Sequence, residues 1–131
     1  MAPFPSRRRL TLRWATLGWA ALFFVWLPFE DTNIYSLLGL SLAGCALTAV
    51  WQIDRQILAG RPRLLLTGGL SGLAVSPFAL ILVLVKAGAH SHGFLDFTNE
   101  QLGLILKTTP LWAVIGLAAA WLYKTRHPML N

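Results

Sequence analysis

Charge is scarce in this 131-residue sequence. Asp, Glu, Lys and Arg together make up 12% of it, about half the ~25% of ordinary soluble domains. Acids are scarcest, five against eleven basic residues. The few charges cluster and leave long uncharged tracts, which suit lipid rather than water as the surrounding solvent. Cysteine is almost missing as well. Cys45 stands alone inside an apolar run, so an intrachain disulfide is excluded and the redox compartment is not legible. It reads as a small buried hydrophobe. There is no P-loop, no H-E-x-x-H and no C-x-x-C, which removes the common phosphate, zinc-protease and dithiol signatures. The second and third apolar tracts have no ionisable residue at their centres. That counts against a proton-coupled transporter or a channel built from one chain, since such paths need charged groups at depth.

What the sequence does have is hydrophobic length. Apolar residues make up 56%, and four tracts stand out, Leu10 to Phe29, Ile34 to Trp51, Leu64 to Val85 and Leu102 to Tyr123. Each has about the 17–25 residues a helix needs to cross a bilayer. A lone spanning segment must be helical, because hydrocarbon offers no hydrogen bonds to the backbone. The first tract is the weakest. Arg13 interrupts it, and its uncharged core, Trp14 to Leu27, covers only about 21 Å unless Arg13 snorkels to the headgroups. Arg7, Arg8 and Arg9 resemble the start of an export signal, but Phe24 to Asp31 offers no small-x-small cleavage site. They read instead as a cytoplasmic flank.

The basic residues fix an expected orientation. Arg7, Arg8, Arg9, Arg13, Arg55, Arg61, Arg63, Lys124 and Arg126 fall on one side, and only Lys86 and Lys107 on the other. The positive-inside rule puts the first group in the cytoplasm. Four of the acids, Glu30, Asp31, Asp96 and Glu100, fall opposite. The expected fold is therefore all-α: a polytopic integral membrane protein of four transmembrane helices, both termini cytoplasmic, forming one domain over 1–131 with an outer loop at 86–101. The architecture resembles that of small bacterial four-span proteins, which points to an inner or other internal bacterial membrane. A net charge of +6 would suggest nucleic acid in a soluble chain. Beside apolar spans, its expected partners are the bilayer and anionic lipids at the cytoplasmic face, with no nucleic acid.

Helices in lipid associate through close packing, which small residues at i, i+4 permit. Gly68, Gly72 and Ser76 share such a face in the third tract, Gly39 and Ala43, and also Gly44 and Thr48, in the second, and Gly116 and Ala120 in the fourth. Pro77 and Pro110 each remove a helical donor, so kinks are expected there.

The chemistry of the sequence is confined to the stretch from Lys86 to Gln101, "KAGAHSHGFLDFTNEQ". His90 and His92 project to one side in an extended or turn segment, but about 200° apart on a helix. With Asp96 they are the metal-ligand candidates. Glu100, Glu30 and Asp31 are the other acids expected on that face. Two histidines fall short of the four ligands of a structural zinc site, and no resident cofactor is expected. Thr98 to Gln101 has a simpler reading as a capping box that opens the last helix. Together these features suggest a structural or accessory subunit that helps assemble a larger membrane complex, with other subunits or its own copies as partners. An oligomeric transporter of a small solute or metal ion, using the His/acid loop, is the alternative. An interfacial membrane enzyme is the third reading and the least favoured.

Overall fold

A computed structural model of the chain describes residues 7–29, 33–58, 63–89 and 97–126. These form the helical elements α1 (Arg7–Trp26), α2 (Ile34–Leu58), α3 (Leu64–Leu73), α4 (Val75–Ala89), α5 (Asn99–Lys107) and α6 (Thr109–Arg126). No strand occurs among the described residues. α3 and α4 join into one rod, and α5 and α6 into another. Three helices are long and apolar enough to cross a membrane: Ile34–Ile57, Leu64–Ala89 and Asn99–Arg126, with 24, 26 and 28 residues. They reach roughly 36–42 Å at helical rise, more than the ~30 Å hydrocarbon core. The chain is thus a helical protein with membrane-spanning character. α1, with 20 residues, is not among the three; Arg7, Arg8, Arg9 and Arg13 dilute its apolar run.

Two helices outrun their apolar tracts, while α1 stops at Trp26, short of Phe29. The third tract ends at Val85 by composition, yet α4 continues through Lys86 to Ala89, so the connection to α5 begins later than residue 86. The second helix likewise runs on past Trp51 to Leu58. Polar residues in these turns keep their helical hydrogen bonds, and composition alone locates the hydrocarbon boundary rather than the helix end.

Both long breaks lie on the N-terminal side of a proline. Pro77 has no N–H for the Leu73 carbonyl, and the helix divides at Ala74. The ladder resumes at once, with Ala74 N–H donating to Leu70 O at 3.0 Å and Phe78 N–H to Ala74 O at 2.9 Å. Pro110 deprives Leu106 O in the same way, and the rod divides at Thr108. Here the Thr109 hydroxyl donates to Leu106 O at 2.7 Å. At the start of α5 the capping box forms. Thr98 Oγ1 accepts from Gln101 N–H at 3.3 Å, and Gln101 Oε1 accepts from Thr98 N–H at 2.9 Å.

The α3–α4 rod is the centre of the packing. α2 lies along both its halves, α6 lies on α3, α5 on α4, and α1 on α2. Adjacent helices α1 and α2 are antiparallel: Arg9 pairs with Asp54 at 3.5 Å, and Trp51 Nε1 donates to Thr16 Oγ1 at 3.2 Å. Gln56 ties the far end of α2 to the start of α3, donating to Thr67 Oγ1 and accepting from Arg63 N–H, both at 2.9 Å. An aromatic stripe fastens α1. Trp19 stacks on Phe23 at 5.7 Å and on Phe78 at 6.0 Å, and its Nε1 donates to Leu40 O at 2.8 Å. The main apolar cluster sits toward the other end, where Trp26, Leu37, Leu82, Val83, Phe97 and Ile105 are buried together. Large apolar side chains cover the outside, Trp14, Phe24, Leu84 and Val114 each being more than 60% exposed. Such continuous apolar surface is an aggregation hazard in water and an ordinary lipid contact in a bilayer.

Candidate functional site

The proposed metal ligands His90, His92 and Asp96 lie outside the described residues, as do Glu30 and Asp31. Glu100 is exposed in the first turn of α5, where a carboxylate suits the positive helix end. Among the described residues no group of three or more His, Cys, Asp or Glu side chains gathers to hold a metal.

The small residues are placed more informatively. Gly68 and Gly72 of α3 lie against Gly116, Ala120, Trp112 and Ala113 of α6. A Cβ on Gly68 would overlap the Gly116 carbonyl and the Ala120 methyl, and a Cβ on Gly72 would overlap the Trp112 carbonyl. The relation is reciprocal, because a Cβ on Gly116 would strike the Gly68 carbonyl. Glycine Cα–H groups therefore face carbonyls across the seam, the arrangement of Cα–H···O contacts at helix interfaces. Ser76, one step further along the same face, is fully buried and turns to α5, donating to Ile105 O at 2.8 Å. Gly39 and Ala43 are exposed, and a Cβ on Gly39 would meet open space. The closely packed glycine of α2 is Gly44, of the Gly44–Thr48 pair, whose Cβ would meet the rings of Phe78 and Trp19.

Lys86 is the residue whose setting the sequence reading missed. It is fully buried in the last turn of α4, and its Nζ lies 4.0 Å from the Trp26 ring centroid. A desolvated cation–π contact contributes about 2 kcal/mol, whereas burying an ammonium costs several kcal/mol. The ring alone does not offset that cost, and Lys86 has a further partner besides it. A signal was available. Ala79, Leu82, Val83 and Lys86 recur at i, i+3, i+4 and i+7, one helical face, and all four are buried.

Between α2 and α6, with the glycines of α3 as its floor, runs an apolar groove of about 280 Å³. It extends from Leu42 and Trp112 to Ile53 and Tyr123, passing Gly68 and Gly72. Beyond its Ile53–Tyr123 end lie Arg63, Lys124 and Arg126. No family model matches the chain, and no curated protein or solved structure matches it either.

Proposed function

We propose that the chain is a four-span integral membrane protein with both termini cytoplasmic, serving as a structural or accessory subunit in the assembly of a larger membrane complex. The observation that carries this reading is the use made of buried hydroxyls. Ser41 donates to Val75 O, Ser76 to Ile105 O, and Thr67 bonds Gln56. Each joins two helices through groups that a solute path would need to leave available. The aromatic stripe of α1, the antiparallel Arg9–Asp54 contact and the ~30 Å that 20 residues reach support α1 as the remaining span. The clustering of basic residues at one end supports the orientation. In a bacterial inner membrane that end would face the cytoplasm and its anionic lipids.

Co-purification from native membranes in mild detergent tests the function: a stoichiometric partner supports it, and a chain recovered alone counts against it. Topology is tested separately. In a Cys45→Ala background, an impermeant maleimide should label Ser91→Cys in intact cells and leave Thr125→Cys unlabelled until the membrane is opened. A second reading, an oligomeric transporter of a small solute or metal ion, draws on Lys86, since a buried intramembrane cation is a common mark of a substrate or ion path. Solute uptake by liposomes that is lost in Lys86→Met but kept in Ser76→Ala would favour it.

A further inference from the structure

We infer that the groove between α2 and α6 is a binding site for one anionic phospholipid, an acyl chain lying in the groove and the phosphate at its basic end. This goes beyond the subunit reading and does not depend on it. Length is the first argument. From Leu42 to Ile53, and from Trp112 to Tyr123 on the facing helix, the groove spans roughly 16 Å at helical rise. That is the depth of one leaflet, about half of a ~30 Å hydrocarbon core. Shape is the second. α2 and α6 both pack on α3, which leaves a furrow of about 280 Å³ drawn out along that length. A flexible hydrocarbon chain can follow such a furrow.

Charge decides the headgroup. Arg63 caps the start of α3 and is exposed. Its backbone N–H is held by Gln56, one turn beyond Ile53. On α6 the lining residues Trp112, Gly116, Ala119 and Tyr123 follow the helical repeat, and the next step on that face is Arg126, also exposed. Lys124 adds a third cation. Asp54 is the one described acid near this end, and Arg9 engages it at 3.5 Å. The mouth of the groove is therefore net positive, which attracts a lipid phosphate. Tyr123 stands at the junction, where an amphipathic ring belongs.

Native mass spectrometry of the full chain, released from mixed phosphatidylglycerol and phosphatidylcholine vesicles, tests the inference. We expect one retained phosphatidylglycerol per chain, favoured about tenfold over phosphatidylcholine. Ala49→Phe narrows the groove and should remove retention of both lipids. Ala119→Phe narrows it from the α6 side and serves where the first variant fails to fold. Arg63→Gln with Arg126→Gln should bring the preference near parity while one lipid is still held. Equal retention of both lipids by the unaltered chain would overturn the headgroup assignment. Undiminished phosphatidylglycerol in both phenylalanine variants would overturn the groove, leaving a basic surface that binds lipid from outside. A protein helix found cross-linked to groove residues would overturn it in favour of a polypeptide occupant.

Discussion

Gly72→Val should weaken the α3–α6 seam, and its cost follows from the geometry. The new Cβ would overlap the carbonyl of Trp112 and approach the Cα of Ala113. Both are backbone atoms, so no rotamer change relieves the overlap. Restoring an ordinary C···O separation of about 3.3–3.6 Å requires the two helices to part by roughly 1 Å. That separation also lengthens the neighbouring Gly68–Gly116 contacts, each worth about 0.5–1 kcal/mol. Overpacking of this kind costs about 1–3 kcal/mol, and valine recovers only a few tenths through its helix propensity over glycine. The net loss is about 2 kcal/mol, or roughly 6–12 °C in midpoint for a chain of this size. Cys45 provides the assay. It is the only cysteine and is 8% exposed, so a thiol-reactive dye reports its release during a thermal ramp. Gly39→Val is the control, because its added carbons enter open space. Equal midpoints for Gly72→Val and the native chain, or an equal drop in Gly39→Val, would refute the seam as a source of stability.

Further perturbations separate the remaining contacts. Trp26→Leu should lose about 2 kcal/mol of cation–π attraction in a chain that keeps Lys86. The same change in a Lys86→Met background should lose measurably less, and a double-mutant cycle with no coupling would exclude the contact. Thr98→Ala removes the N-cap of α5 and should cost about 1 kcal/mol. The loss should appear as several-fold faster amide exchange at Asn99 to Gln101, with Thr98→Ser close to native. Ser41→Ala and Ser76→Ala should each cost only about 0.6 kcal/mol, the average for hydrogen bonds between membrane helices. Of the two, Ser76→Ala should be the milder in thermal unfolding, because Ile105 O keeps the Thr108 hydroxyl at 2.8 Å.

Features that depend on one helix were legible from the chain. The Thr98–Gln101 box needs only its own four residues, and the membrane character of three rods needs only hydropathy and length. The spacing of Gly68 and Gly72, and of Gly116 and Ala120, identified faces suited to close approach, but spacing does not name a neighbour. The same i, i+4 rule selects Gly39 and Ala43, which sit on an exposed face, and Gly44, on which Trp19 and Phe78 converge, without ranking one pair over the other. By sequence a charge marks the end of a span, which puts Lys86 in a loop. In the structure its stem continues the buried face of α4, and Trp26, sixty residues away in sequence, receives the ammonium. The ligand candidates His90, His92 and Asp96 belong to residues outside those described.

The two proline breaks show why α4 and α5 meet where they do. A proline leaves one carbonyl without its helical donor, and in hydrocarbon that carbonyl must find another or cost several kcal/mol. At Pro110 the hydroxyl of Thr109 supplies the donor to Leu106 O, and the adjacent Ile105 O draws on both Thr108 and Ser76. Ser76 itself stands one residue before Pro77, so the disturbed turn of one rod reaches into the disturbed turn of the other. Ser41 completes the junction from α2 by donating to Val75 O. Breaks that are each unfavourable alone become a three-helix hydrogen-bonded node when they lie at one depth. On this account the prolines position the node and the hydroxyls hold it. Pro110→Ala should therefore straighten α5–α6 and move Ile105 away from Ser76, lowering the thermal midpoint although alanine is the better helix former by about 3 kcal/mol. A raised midpoint in Pro110→Ala would show that the break is tolerated rather than used.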